Sequence, residues 1–204
     1  MQQRDNHQNR LKWLLIAATW ATFALSSRIF TSILAQYANY FPPNFDAEFL
    51  FGRQTYFFGS YCLAFYAHII ASPIAMILGG WLMWTGRQHG KKLCHRKSIR
   101  KWHRRLGKTQ GTIVIAIVVP TGLVMSTRAM NGPLAGLGFS ALSMALMGSM
   151  LATIAHAKKR SFARHELWAT RSFILLCSPL VLRLMTGATI ITQTQSPLTY
   201  QMSA

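Results

Sequence analysis

The stretch that decides the fold is GRQHGKKLCHRKSIRKWHRRLGK, residues 86–108, which lies between two long apolar runs. It holds ten of the 22 Lys and Arg residues and no acidic residue. Because charged side chains are costly in hydrocarbon, this stretch must lie in water or among lipid head groups. An excess of Lys and Arg in a short loop marks the cytoplasmic side of a membrane. The stretch therefore predicts a membrane protein and orients its other segments.

The composition favours the same class. Of the 204 residues, 51% are hydrophobic and only four are acidic, and the long uncharged runs fit a membrane protein better than a soluble core. The formal charge of +18 would also suit a nucleic-acid-binding protein. Here, however, the charge is gathered beside apolar segments, so we expect no nucleic-acid partner. The three cysteines, Cys62, Cys94 and Cys177, have no Cys-x-x-Cys spacing and indicate neither a disulfide framework nor a zinc site.

Five apolar segments predict an all-α integral membrane bundle that forms a single domain over residues 1–204. The first segment also resembles a signal peptide, and its cleavage would leave four spans. The apolar character resumes after Arg28, however, so the segment is long enough for us to expect a retained helix. We expect spans near residues 11–36, 57–85, 109–128, 134–157 and 166–192.

Alternation of these spans places both basic loops, residues 86–108 and 158–164, on the cytoplasmic side of the inner membrane. The loop around Asp46, the turn at Asn131 and the uncharged tail then lie outside. We expect the basic loops to contact anionic lipid head groups.

Three histidines lie at the predicted cytoplasmic ends of spans. His103 precedes the third span, His156 closes the fourth and His165 opens the fifth. Neutral imidazole is the commonest protein ligand for metals and haem iron, so three helices at a similar depth offer candidate ligands. The alternative is that these side chains simply face the head groups beside the basic loops.

A second group of polar residues lies deeper. His68 is about 27 Å along its helix from Gly86, too far to share a metal with His103 or His165. Two separate sites would suit two haems, or a haem and a quinone pocket, although His68 could instead bond a neighbouring helix. Arg183 lies among apolar residues and Arg171 follows Ala169-Thr170, and both arginines suit a carboxylate, a haem propionate or a quinone carbonyl. We expect Arg183 to be buried and paired, and Arg28 and Arg128 to reach the head groups.

Familiar enzyme motifs do not occur in the sequence. There is no glycine-rich phosphate loop and no serine-nucleophile elbow, and the four acids offer no carboxylate pair inside the membrane. Glu166, beside His165, could orient that imidazole or simply favour the start of its helix.

Several short motifs resemble an uncharacterised family of predicted bacterial multi-pass membrane proteins, catalogued as domain of unknown function twenty-three hundred and six. They are a histidine in an early span, His68; the sequence His-Arg-Arg-Leu-Gly from His103; the sequence His-Glu-Leu-Trp-Ala-Thr-Arg-Ser from His165; and Arg183 inside the last span. The resemblance runs roughly from Tyr61 to Met185. It implies a membrane protein with a polar constellation and names no reaction.

Binding of a redox cofactor for electron transfer, b-type haem above all, is the leading functional hypothesis. His103 and His165 are the expected haem or metal ligands and His156 the reserve, with Arg104 and Arg171 near an anionic cofactor edge. His68 and Arg183 complete the expected cofactor-binding residues, and a quinone is a candidate redox partner. The alternative is a non-catalytic membrane protein that binds an anionic lipid or small ligand through its basic face.

The topology gives the first prediction. A reporter fused after Arg100 is expected to be active on the cytoplasmic side, and one fused after Ala204 on the opposite side, because both basic loops stay inside. Activity of both fusions on the same side of the membrane would contradict five spans.

Overall fold

The computed structural model describes residues 2–47, 49–88, 97–129 and 132–191. Within these ranges the secondary structure is helical and contains no strand, which confirms the all-α prediction. The chain divides into two compact units, Met1–Arg53 and Gln54–Ala204. A single domain over the whole chain stays a prediction.

The first unit contains one long helix, α1 (Gln2–Ala35), and an aromatic segment. The helix continues into a short 3-10 turn, Gln36–Asn39, and the apolar stretch Lys12–Asn39 is long enough to cross a membrane. In the segment that follows, Tyr40, Leu50 and Arg53 are buried. The Arg53 side chain donates from Nε to the Phe49 carbonyl at 2.6 Å, and its guanidinium lies 4.3 Å from the Phe49 ring centroid. This aromatic segment therefore packs around an arginine.

The second unit is a helical bundle. Its helices are α2 (Gln54–Phe57), α3 (Ser60–Gln88), α4 (Lys97–Ile113), α5 (Val119–Ser126), α6 (Pro133–Lys158), α7 (Phe162–Leu176) and α8 (Ser178–Ile191), with a π-helical segment, Val114–Val118, between α4 and α5.

Three stretches of this unit are long and apolar enough to span a membrane: Ser60–Gly86, Ser98–Ser126 and Pro133–Lys158. Helices α7 and α8 together make a further span that is bent by 43°. Together with α1, the described residues thus form four candidate spans without a sharp bend and one bent span. This number of spans fits a multi-pass membrane protein. Helix α3 packs against α4, α5 and α7, and α6 packs against α5 and α7.

We call the end of this bundle where α3 and α6 finish and α4 and α7 begin the basic end, and the opposite end the far end. The expectation that residues 86–108 form a loop is wrong for much of that stretch. Helix α3 continues to Gln88 and α4 already begins at Lys97, twelve residues ahead of the expected start of the third span at residue 109. Lys, Arg and Leu are good helix formers, and the charged side chains can extend toward water while the helix continues.

Two prolines mark departures from regular α-helix. The π-helical segment ends just before Pro120, whose ring cannot fit against the carbonyl four residues earlier in a regular α-helix. The bend between α7 and α8 falls at Cys177, two residues before Pro179, where a kink was expected. Both irregularities are therefore explained by local sequence.

The core of the bundle is formed by α3, the α4–α5 helix, α6 and α7. Its buried members are Ala71, Ala75, Val114, Val118, Val119, Leu146, Met150 and Leu176. Small residues of α6 allow a close approach at the far end, because a Cβ at Gly136 would lie 2.7 Å from the carbonyl oxygen of Ser126. Nearby, the hydroxyls of Ser126 and Ser140 are 2.8 Å apart. Small residues at helix contacts are typical of membrane bundles.

The close approach at Gly136 gives a stability prediction. Gly136→Ala is expected to destabilise the bundle by about 1–3 kcal/mol, because the added methyl group meets a backbone atom that cannot rotate away. Thermal unfolding in detergent micelles measures the effect. Gly148→Ala in the same helix is the matched control, since a Cβ there meets no atom within 4 Å. Equal melting temperatures for the two variants would contradict this account of the α5–α6 contact.

Candidate functional site

A buried cluster of hydroxyl groups joins α6 to α7. Ser149, Thr153 and Ser172 are 4%, 8% and 2% exposed. The Ser172 hydroxyl lies 3.0 Å from the Ser149 hydroxyl and 3.3 Å from that of Thr153. Each hydroxyl also lies near a carbonyl of its own helix, at 2.8–3.0 Å. The cluster therefore fixes the relative position of the two helices without burying a charge.

His165, on the first turns of α7, is attached to this cluster. Its Nδ1 lies 3.0 Å from the Thr153 carbonyl oxygen. A carbonyl oxygen only accepts hydrogen bonds, so Nδ1 must carry the hydrogen and donate it. In the neutral ring the lone pair then lies on Nε2. A hydrogen bond from Nδ1 to a backbone carbonyl is the arrangement that orients metal-binding histidines.

His156 lies one turn beyond Thr153 on α6. Its Nδ1 is buried and has no hydrogen-bond partner among the described residues. Side chains three residues apart on a helix are neighbours, so His156 is close to the residue that holds His165. A buried nitrogen without a partner is rare in proteins and calls for an explanation such as a ligand or an ion.

His103 is held from a different helix. Its Nδ1 lies 3.1 Å from the Thr85 hydroxyl of α3, and that hydroxyl lies 2.9 Å from the Trp81 carbonyl. Since a threonine hydroxyl has one hydrogen, which it donates to its own helix, its oxygen accepts from the imidazole. His103 was expected ahead of its helix, but it lies in the second turn of α4, which begins at Lys97.

The two histidines lie at a similar depth. Helices α3 and α7 meet where a Cβ at Gly79 would lie 2.8 Å from Phe173 Cδ2. From that contact toward the basic end, Thr85 is about 9 Å away along α3 and His165 about 12 Å away along α7. The matched depth expected for His103 and His165 is thus compatible with the helix packing.

The candidate arginines lie at the surface of the chain. Arg104, Arg171 and Arg183 are all exposed, and the Arg171 guanidinium lies 4.6 Å from the Trp168 ring centroid. The expectation that Arg183 is buried is wrong, because this residue is exposed on α8. Glu166 is exposed as well.

His68 occupies a second polar position near the far end. Its Nδ1 lies 3.0 Å from the Thr121 hydroxyl of α5. That hydroxyl donates to the Ile117 carbonyl at 2.6 Å. The structure thus separates His68 from the histidines at the basic end.

No three His, Cys, Asp or Glu side chains cluster as a metal-ion site among the residues that the structure describes. His89 and His95, and the expected turn at Asn131, lie outside the described residues. A bare metal ion generally needs three or four protein ligands, whereas haem iron needs one or two.

Sequence reasoning identified the histidines but missed the groups that hold them. These are the hydroxyls of Thr85 and Thr121 and the backbone carbonyl of Thr153. One signal was present: the dipeptide Thr-Gly occurs in α3, α5 and α8, and the copies in α3 and α5 contact a histidine ring.

A family model described as "Predicted membrane protein (DUF2306)" matches residues 65–203. The match includes all of the candidate histidines and extends into every span of the second unit. A comparison with curated proteins and with solved structures found no match.

The hydroxyl cluster gives a prediction. Thr153→Val, which removes a hydroxyl but keeps the shape of the side chain, is expected to cost about 0.6–1.7 kcal/mol, the range of hydrogen bonds between membrane helices. Thermal unfolding in detergent measures it. Thr170→Val is the matched control, because the Thr170 hydroxyl bonds the Glu166 carbonyl of its own helix. If both variants unfold at the wild-type temperature, the cluster does not stabilise the α6–α7 contact.

Proposed function

Given that the chain belongs to the DUF2306 family of predicted membrane proteins, we propose that it is a multi-pass protein of the inner membrane that binds b-type haem at its basic end for electron transfer. His103 and His165 are the residues that would hold the haem iron, with His156 in reserve. When bound, haem supplies one-electron redox chemistry at its iron.

The observation that carries this proposal is the hydrogen bond from His165 Nδ1 to the Thr153 carbonyl. It selects the tautomer whose Nε2 can bind iron and holds the ring against rotation. The buried His156 Nδ1 supports a ligand at the same end, because leaving such a nitrogen unpaired costs about 1–3 kcal/mol. The residues present therefore fit a haem with histidine ligands.

Arginines near this end suit the anionic edge of such a cofactor. Arg104 follows His103 directly, and Arg171 lies six residues after His165. Both side chains are exposed, so each can reach a propionate without giving up a bond inside the protein. Arg171 would keep its contact with Trp168 while doing so, since guanidinium groups stack on aromatic rings and still donate at their edges. Arg183 is retained as a further candidate for cofactor binding.

A second candidate function is binding of anionic lipid by the first turns of α4. The exposed residues there are Arg100, Lys101, Trp102, Arg104, Arg105 and Lys108. Clustered cations beside an interfacial tryptophan are typical of a surface that contacts anionic head groups. This function requires none of the histidines, so histidine variants separate the two proposals. In both, the basic end faces the cytoplasm.

The haem proposal predicts a visible absorption spectrum. Protein expressed with haem and metals supplied is expected to show a Soret band that shifts when dithionite reduces the iron. His103→Ala or His165→Ala is expected to abolish that band, because each removes a proposed ligand. Absorption spectra of the purified variants at equal protein concentration make the measurement.

His89→Ala and His95→Ala serve as controls, because neither residue is a proposed ligand, and both are expected to retain the band. Equal loss in all four variants would indicate disrupted folding in place of ligand removal. A wild-type protein that carries neither chromophore nor metal would contradict the proposal and leave lipid binding as the function.

A further inference from the structure

The antiparallel pair formed by α3 and the α4–α5 helix carries the same contact twice. At the far end, the His68 ring of α3 lies on Thr121-Gly122 of α5. At the basic end, the His103 ring of α4 lies on Thr85-Gly86 of α3. Each helix thus carries a histidine and, about five turns later, a Thr-Gly pair that contacts the histidine of the other helix. The far end therefore has the same type of histidine contact as the basic end, where we propose that the cofactor binds.

Hydrogen bonding determines the tautomer of His68. The Thr121 hydroxyl lies 2.6 Å from the Ile117 carbonyl oxygen, to which it donates its only hydrogen. With that donation made, its oxygen accepts from His68 Nδ1, which lies 3.0 Å away. The neutral ring then has its lone pair on Nε2. His68 is consequently set up to accept a hydrogen bond from a hydroxyl group.

Ser72 supplies a second, independent observation. It lies one helical turn beyond His68 on α3, and its hydroxyl is buried with no hydrogen-bond partner among the described residues. Among the residues that the structure describes, two buried side-chain polar atoms lack a partner. One is the Ser72 hydroxyl, and the other is His156 Nδ1 at the basic end. A buried hydroxyl without a partner costs about 1–3 kcal/mol, and a bound polar group would remove that cost.

The surroundings of this position are neutral. A Cβ at Gly122 would lie 3.4 Å from His68 Cε1 and 3.0 Å from the Ser143 hydroxyl, so Ser143 of α6 also borders the ring. The neighbouring residues Phe65, Ala71 and Val118 are buried and apolar. A neutral ligand with a small number of oxygen atoms matches such a site better than an ion does.

We propose that His68 and Ser72 bind the head group of a quinone or quinol. The Cβ atoms of two residues one turn apart on a helix are about 5–6 Å apart. The two polar groups therefore lie on the same face of α3 and are both available to one ligand. His68 Nε2 accepts from a quinol hydroxyl and the Ser72 hydroxyl pairs with the oxygen on the other side of the ring. Exchange of electrons between this quinone and haem rests on the function proposed above, whereas binding does not.

The test uses the full chain purified in detergent, with decylubiquinone as the probe. Wild-type protein is expected to gain thermal stability as the quinone concentration rises, because a ligand that binds only the folded state stabilises it. Ser72→Ala is expected to weaken quinone binding about tenfold, the effect of losing one hydrogen bond in a buried site. Ser98→Ala, an exposed serine on α4, is the matched control and is expected to bind like the wild type.

The melting temperature of Ser72→Ala without quinone distinguishes a loss of quinone binding from a loss of folding. The variant removes a buried hydroxyl that has no partner, so its own melting temperature is expected to equal or exceed that of the wild type. Weaker binding then cannot be attributed to misfolding. His68→Phe is expected to lose binding as well, but it also breaks the contact with Thr121, so Ser72→Ala carries the test.

Three results would overturn the proposal. One is no stabilisation of the wild-type protein by decylubiquinone at any concentration. Another is unchanged binding by Ser72→Ala. The third is loss of one of two haems in His68→Ala, which would assign the far end to a second haem. The quinone-binding measurements follow thermal stability and need no haem chromophore. Failure of haem binding at the basic end is therefore detected separately, by the absorption spectrum.

Discussion

Every backbone N–H and C=O inside a bilayer needs a hydrogen-bond partner within the protein, and this constraint governs the rest of the structure. It produces the helical spans and also determines how their hydroxyl side chains behave. Thr85, Thr121 and Thr153 each donate to a carbonyl of their own helix. With its hydrogen committed, a threonine oxygen can only accept from a neighbouring helix. Two of these threonines accept from an imidazole in this way.

Three histidines use one ring nitrogen to join neighbouring elements. Nδ1 of His68, His103 and His165 bonds a neighbouring element, which joins helices without burying a charge. The same bond specifies which nitrogen carries the lone pair in the neutral ring. A histidine that only connected helices would need no second polar group nearby. At each end, among the residues that the structure describes, a buried polar atom without a hydrogen-bond partner lies about one turn from a histidine or from the residue that holds it, and both proposals start from these two atoms.

The number and order of the spans could be predicted from the sequence, because long apolar runs and basic flanks are local properties of the chain. The start of α4 could not be predicted in this way. The charge of residues 97–108 favours a loop in water, although the same residue types are also compatible with a helix. Arg183 was expected inside the bundle for its charge. Its exposure depends on the rotation of α8, which hydropathy does not report.

The candidate histidines were visible in the sequence, but their partners were not. His68 and Thr121 are 53 residues apart, and their contact depends on the register between α3 and α5. That register also decides which hydroxyls stay unpaired, so Ser72 could not be distinguished by sequence from other serines in the spans. A buried hydroxyl that bonds nothing lowers stability, whereas alanine at the same position would avoid the cost. Retaining serine there is physically reasonable if its hydroxyl is paired in another state of the protein, and a ligand held beside His68 provides that state.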